Sequence, residues 1–436
     1  MTCLSILSRP IYFLSLSAFT SLFLLFADCR PSAIGEPLTV HRPAEFEPTE
    51  AVWLLWSNYV HKRGFSNEQV TLDLVQALLP YVKVKLVLPS DSVLQRVKPL
   101  LPATALQSGQ LVLYDLPYWE FWARDMGPSF VLDEKGQLNV TDFNFNAWGY
   151  APPGDPVAAL DEKLDERIAA LLKVPLRSSD LITEGGDHEV NGQGTMLLTE
   201  SVEKNRNPQW SLAQIEAEFR RMLGVKKVIW MHQGLREDDH TFAGPIRDKS
   251  GQPIYTVVTT NGHADEYVRF AAADLLLLAE ADTASDDPLE QENARRLAEN
   301  YRLLQAATNQ NGRPFRIVRV PLPYPVIGMM APGDGIYDFI STLDYEDGSP
   351  FPVGQPVQVI AAASYLNFLV ANGCVLMPKY WKAELDVKIQ ARDEAVRAIL
   401  QSAFPDKVII PIDALAVNWG GGGIHCITMN EPKSSK

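Results

Sequence analysis

The stretch Gly420–Thr428, "GGGGIHCIT", decides how the chain is read. Four consecutive glycines lead into a His-Cys pair flanked by isoleucines. Glycine weakens regular structure and is used where backbone bends sharply or approaches another group closely. The residues after it, "IHCIT", read as a short strand. On a strand Ile424, Cys426 and Thr428 share one face and His425 points the other way. A cysteine carried by a glycine loop onto a strand is a core residue, half of a disulfide, a metal ligand or a nucleophile.

The composition narrows the choice. With 436 residues and 46% hydrophobic content the chain can bury a large core in one big domain or a few smaller ones. Its 39 basic and 53 acidic residues give a net charge of −14. No run of Lys or Arg suggests a nucleic-acid surface, and an acidic protein suits a cationic substrate better than an anionic one. The uncharged apolar run Ile11–Ala27, preceded by Arg9, is short for a membrane span and reads as a signal peptide or N-terminal anchor over residues 1–29. Cleavage falls between residues 27 and 35, or Cys29 is lipidated, and the protein is expected to be exported. Cys3 then lies in the leader and Cys29 at its edge, so the body keeps Cys374 and Cys426. Without a CxxC or a Cys/His cluster there is no zinc signature. A Cys374–Cys426 disulfide is compatible with export, but "FLVANGCVLMP" reads Cys374 as a buried inert thiol.

From Glu36 onward short β-rich runs alternate with helical ones. "AVWLLW", "VKVKLVLP", "LVLYDLP", "GTMLLTE", "KKVIWM", "IYTVVTT", "LLLLAE", "FRIVRVPLP", "GCVLMP" and "KVIIPI" read as strands. "SNEQVTLDLVQALLPYV", "PVAALDEKLDERIAALL", "QWSLAQIEAEFRRMLG", "DPLEQENARRLAENYRLLQAA" and "ELDVKIQARDEAVRAILQSAF" carry helical periodicity. The order argues for an α/β architecture. No linker divides the chain, so residues 36–434 are expected to form one domain. "AWGYAPPGDP" and "HTFAGPIRDKSGQP" read as surface loops or insertions.

Three further stretches could carry chemistry with Cys426. "FWARDMGPSF" holds Arg124 and Asp125, "EGGDHEVNGQG" opens on Glu184, and "TTNGHADEYVRF" holds His263 and Asp265. His263 and Asp265, two apart, share one side of an extended backbone. Each residue alone also fits a structural role: a surface Arg-Asp pair, a turn acid, a polar strand end, a core cysteine. Together they say more. A thiol nucleophile needs a base or a positive neighbour, and His263 is better placed for this than His425. Carboxylates beside a thiolate raise its pKa, so Asp125, Glu184 and Asp265 make sense if the substrate is a cation. A planar guanidinium matches carboxylates bidentately.

These motifs resemble the agmatine deiminase and bacterial (Porphyromonas-type) peptidyl-arginine deiminase family of guanidine-modifying enzymes. The resemblance runs through "RPAEFEPTEAVWLLW", "WARDMGP", "FNFNAWG", "EGGD", "NGHADEYVRF", "SYLNFLVANGCVLMP" and "GGGGIHCIT", in that order along the whole body. It implies a pentein fold, five ββαβ-like units around a pseudo-fivefold axis with a central site. It further implies Cys426 as nucleophile, His263 as general acid/base, and Asp125 and Asp265 as guanidinium-binding acids. Glu184 would support the histidine and the leaving ammonia, Trp122 would wall the pocket, and Asn367 of "SYLNF" would bind substrate or support the site from behind. No metal or organic cofactor is implied, and the partner is a small cationic guanidino compound. A homo-oligomer is compatible with the sequence but not read from it.

Within that family the peptidyl-arginine branch holds its substrate's carboxylate with arginines about two dozen residues after the "RD" motif. Here that stretch, "DFNFNAWGY", has none, which favours agmatine. Peptidyl-arginine or free arginine is the alternative, and a non-catalytic pentein binding protein a minor one. Two stretches depart from the agmatine branch: "AWGYAPPGDPVAALDEK" in place of an "AWGG" continuation, and an extension over Arg236–Pro253 before the His263 motif.

Overall fold

The computed structural model describes residues 39–57 and 59–435. The leader Ile11–Ala27, Cys3 and Cys29 lie outside the described residues. Among those described, no helix is long and apolar enough to cross a membrane.

The apolar run "LLLLAE" forms the strand Leu275–Glu280, buried along its first five residues. A strand buried on both faces reads as a continuous apolar run instead of an alternating one. It pairs antiparallel with Val268–Ala272 and parallel with Arg316–Pro321. The same order recurs in four other sheets. Leu138–Asn144 lies between antiparallel Ser129–Asp133 and parallel Leu176–Ile182. Thr195–Thr199 lies between Glu189–Val190 and Lys227–Met231. Cys374–Pro378 lies between Leu369–Ala371 and Val408–Ile412. Thr49–Leu55 lies between Thr428–Pro432 and Lys83–Leu88, with Leu111–Asp115 added parallel beyond. A further sheet, in the order Ile246–Arg247, Pro253–Thr256, Val357–Ile360, Ile327–Met330, stands outside this pattern.

Parallel neighbours need a crossover, and the periodic segments supply it. The helices Asn67–Leu78, Leu212–Leu223, Pro288–Ala306 and Val387–Ala403 each join a central strand to its parallel partner. Side chains fix where they start: Ser66, Ser211, Asp287 and Asp386 accept from backbone N–H groups of the first turn. "PVAALDEKLDERIAALL" is not one helix but two, Pro156–Glu162 and Leu164–Leu172. They break at Lys163, whose ψ of 5° leaves the helical region.

Each of the ten runs read as strands overlaps an observed one, although "IYTVVTT" leaves the strand after Thr256. What the sequence reading does not separate is the antiparallel lead strand that opens each of the five sheets. These lead strands position the site, because the turn before each one carries a residue singled out above. Asp125 precedes Ser129–Asp133 and Glu184 precedes Glu189–Val190. His263 and Asp265 precede Val268–Ala272, Asn367 precedes Leu369–Ala371, and Cys426 precedes Thr428–Pro432.

Candidate active site

The "IHCIT" segment is a turn, not a strand. Residues 424–427 form a hydrogen-bonded turn and the strand begins at Thr428. The Thr428 N–H donates to the carbonyl of His425 at 3.1 Å, and its hydroxyl lies 3.0 Å from the Ile424 carbonyl. The strand-based argument that His425 points away from Cys426 therefore lapses, yet His425 does engage other groups: its Nδ1 lies 2.6 Å from Asp265 Oδ2 and its Nε2 2.6 Å from Glu45 Oε1. The glycines are there for close approach. Gly421 has φ of 120°, and a side chain at Gly422 would sit 2.7 Å from the Trp122 ring and 2.9 Å from the Cys426 sulfur.

Cys426 is 5% exposed, and both Cys374 and Cys426 are free thiols, which removes the disulfide reading. Asn367 holds the turn that carries Cys426. Its Nδ2 donates to Cys426 Sγ at 3.1 Å and to Glu266 Oε1 at 2.9 Å, and its Oδ1 accepts the His425 N–H at 2.8 Å. The Gly423 N–H also points at the sulfur, at 3.4 Å. Asp265 Oδ2 lies 3.7 Å from Sγ and Glu266 Oε1 4.0 Å. Burial first, then Asp265, Glu266 and Asp125, push the thiol well above its ordinary range.

His263 and Asp265 do not sit on extended backbone. His263 caps a short 3-10 turn, Ala264–Glu266. The imidazole is buried between carboxylates, with Nε2 3.3 Å from Glu184 Oε2 and Nδ1 3.9 Å from Asp125 Oδ1. Burial works against its charged form, but Asp125, Glu184 and Asp265 outweigh it and raise its pKa to about 10. Arg206 Nε donates to Glu184 Oε1 at 2.7 Å with both side chains fully buried. Against the effect of burial, Arg206 and His263 hold Glu184 below its ordinary range. Asp265 is likewise held low, with His425, His263 and Arg269 overcoming burial.

Asp125 is no surface partner of Arg124. Arg124, 2% exposed, turns to Glu45 at 2.7 Å and ties the two turns together, its N–H donating to the Cys426 carbonyl at 3.0 Å. Asp125 instead accepts from Trp148 Nε1 and from the Gly186 N–H, both at 2.9 Å. Burial pushes its carboxyl up, with His263 offsetting part of the effect. Trp148 holds this contact from left-handed backbone, φ 55°, a conformation costing a non-glycine residue roughly 1–3 kcal/mol and typical of functional sites. Both "AWGYAPPGDP" and "HTFAGPIRDKSGQP" prove to be more than surface loops, since Trp148 and Thr241 are buried.

Of the sequence-predicted residues, Cys426 contacts Asn367 and Asp265, His263 contacts Asp125 and Glu184, and Trp122 lines the same cavity as Cys426 and Asp125. The sequence reading missed Trp148, Gly186, Arg206, Glu266, His425 and Glu45 as contributors. The tryptophan of "FNAWG" and the second glycine of "EGGD" were within its reach. Asp265, Glu266 and Cys426 also offer ligand atoms within 4.8 Å of one another, close enough for a metal ion.

The cavity measures about 380 Å³. Four carboxylates line it, Glu120, Asp125, Asp155 and Asp161, and among the described lining residues there is no lysine or arginine. Two buried polar atoms of the acid and histidine motifs, Asp265 Oδ1 and His263 Nδ1, have no hydrogen-bond partner among the described residues. A buried group left unpaired costs about 1–3 kcal/mol, more when charged, so the Asp265 oxygen is left to accept from a ligand and the protonated His263 Nδ1 to donate to one.

Comparison with known proteins agrees with that arrangement. A family model described as Porphyromonas-type peptidyl-arginine deiminase matches residues 41–244 and 251–432. The agmatine deiminase of Pseudomonas aeruginosa (strain LESB58) is 28% identical over 400 residues, spanning 90% of this chain and 96% of that protein. The agmatine deiminase of Medicago truncatula is 29% identical over 407 residues, with 90% and 96% covered. A solved structure of the agmatine deiminase of Enterococcus faecalis superposes with a TM-score of 0.71 at 27% identity, covering 91% of this chain and 96% of that one.

Proposed function

The chain belongs to the Porphyromonas-type peptidyl-arginine deiminase family, and from that premise we propose that it is an agmatine deiminase, hydrolysing the guanidinium of agmatine to N-carbamoylputrescine and ammonia. The observation that carries the substrate is the cavity's lining: four carboxyl groups and, among the described lining residues, no lysine or arginine. Agmatine brings two positive charges and no carboxylate. A C-terminal or free arginine would bring a carboxylate into a cavity with nothing to pair it, and an unpaired buried charge costs several kcal/mol.

In this reading Asp125 and Asp265 clamp the guanidinium, the Asp265 oxygen that lacks a partner accepting from it. The incoming cation offsets the carboxylates that hold the thiol protonated, so the thiol releases its proton to solvent as substrate binds. The thiolate of Cys426 attacks the guanidinium carbon. His263, charged at neutral pH, gives a proton to the departing ammonia and leaves a covalent thiouronium. The now neutral His263 takes a proton from water, whose oxygen adds to the same carbon. The C–S bond then breaks, releasing the ureido product. Glu184, fixed by Arg206, orients the imidazole. The recurrence of one sheet order five times supports reading these sheets as the blades of a pentein propeller, with the turns before the lead strands meeting at its axis.

The test is ammonia and N-carbamoylputrescine release by the full chain from agmatine, beside arginine and a peptide ending in arginine, with Cys426→Ser as control. Turnover of agmatine alone, abolished by the serine variant, is expected. Turnover of the peptide without agmatine overturns the substrate, and agmatine turnover by Cys426→Ser overturns the mechanism.

A further inference from the structure

The two stretches that depart from the agmatine-branch pattern come together beside the cavity. Tyr150, from "AWGYAPPGDP", stacks on His240 at 4.3 Å and lies 5.2 Å from Phe242, both from the extension over Arg236–Pro253. Phe339 meets the Tyr150 ring edge-on at 5.7 Å. The Tyr150 hydroxyl is pinned 2.8 Å from Thr241 Oγ1 and 2.9 Å from the Thr259 carbonyl. The ring is therefore a fixed part of the wall, and Tyr150, Phe339 and Val157 all line the cavity that holds Cys426.

Among the described residues nothing covers this wall. Phe339 is 36% exposed and Val157 37%, an exposed apolar surface continuous with a ligand site, which is where such surfaces mark binding. The volume, about 380 Å³, falls in the range of pockets for drug-sized ligands, roughly 300–1,000 Å³, and exceeds what an unbranched guanidinobutylamine fills. The acids on the same side are anchored. Asp161 accepts the Trp119 N–H at 2.6 Å and Asp155 caps a helix through the N–H groups of Val157 and Ala158. Asp155 and Asp161, the latter pushed up to about 7 by burial and so drawn into its charged form by a bound cation, offer acceptors for an amine while the aromatic wall supplies apolar contact.

We propose that the site takes guanidinobutylamines whose terminal amine carries an aromatic or branched apolar group and keeps its positive charge, and that Tyr150, Phe339 and Val157 select them. The inference rests on the deiminase reading above. The chemistry is unchanged: sulfur bonds to the guanidinium carbon, ammonia leaves, water's oxygen replaces sulfur, and the substituent takes no part.

The test compares kcat/KM of the full chain for agmatine, N-benzylagmatine (charge kept) and N-benzoylagmatine (charge removed), with Phe339→Ala and Val157→Ser. The benzyl compound should exceed agmatine about tenfold, as expected from half-burying a phenyl ring, and should exceed the benzoyl compound. Each variant should lower the benzyl-to-agmatine ratio at least threefold. A benzyl compound slower than agmatine, a benzoyl compound as good as the benzyl, or a ratio unmoved by both variants overturns the inference and leaves the deiminase reading standing. No turnover of any of the three, with Cys426 inert to a haloacetamidine, overturns the deiminase reading instead.

Discussion

Cys374 and Cys426 are both buried thiols whose ionisation is pushed upward, yet they sit in different kinds of surroundings. Cys374 opens the strand Cys374–Pro378 inside an apolar core. Burial raises it to about 12, Lys407 pulling slightly the other way. Cys426 ends a glycine turn and faces Asp265 and Glu266. Burial raises it too, but three carboxylates add to the effect. Apolar packing is a fixed property of the fold, and no ligand removes it. A carboxylate field is reversible, because a bound cation cancels it. On the mechanism proposed above, the difference separates a thiol that stays inert from one that a substrate of the right charge activates.

The comparison is broken most directly at Asp265. It is the acid tied to His425, close to the sulfur, and left with one unpartnered oxygen. Asp265→Asn keeps the shape and removes the charge. Losing one partner of a buried charge-assisted pair costs about 2–5 kcal/mol, so kcat/KM for agmatine should fall at least about thirtyfold, while Cys426 in the free enzyme should ionise more easily than before. A variant with near-normal kcat/KM would mean that the carboxylate field is not what recognises the guanidinium.

A smaller effect sharpens the same point through pH. In the free protein the thiol lies well above its ordinary value, so alkylation by neutral iodoacetamide should be slow at pH 7 and climb about tenfold per pH unit beyond pH 9. A cationic haloacetamidine brings its own charge to the carboxylates. It should label Cys426 at pH 7 at least tenfold faster relative to the neutral reagent than it labels a free thiol. Equal relative rates, read by mass spectrometry of the Cys426 peptide, would remove the cation's role in activating the thiol.

How far the sequence carried this picture follows from the range of each interaction. The glycine run, the acid and histidine motifs and "SYLNF" are local, and the structure sets Cys426 against Asn367 and Asp265, and His263 against Asp125 and Glu184. Strands with continuous apolar runs were legible because burial on both faces leaves that mark. The lead strands were not: Val268–Ala272 places Arg269 in the core, paired with Glu189 and Glu45, and Glu189–Val190 is only two residues long. The alternation in "IHCIT" fits a strand and a turn equally at that length. His425 meeting Glu45 across 380 residues depends on the pairing of Thr428–Pro432 with Thr49–Leu55, which leaves no local trace, and Arg206 behind Glu184 sits in a helix whose composition reads as solvated.

Cys374 gives the least disruptive test, and it is the one that isolates burial. Cys374→Ala removes one heavy atom from the core, a loss comparable to Ile→Val and worth about 1 kcal/mol, with kcat/KM for agmatine unchanged because the residue touches no site group. The sign of its pH dependence follows from the shift. The native thiol keeps its proton up to about 12 against an ordinary value of 9.0. Above pH 9 the unfolded chain ionises and the folded one does not, so the wild-type protein loses stability at about 1.4 kcal/mol per pH unit that the alanine variant keeps. The variant, less stable than wild type at pH 8 by urea unfolding, should therefore draw level within about one pH unit above 9. A gap that stays constant to pH 10 would show that Cys374 is not shielded as its packing requires, and the contrast between the two thiols would lose its apolar end.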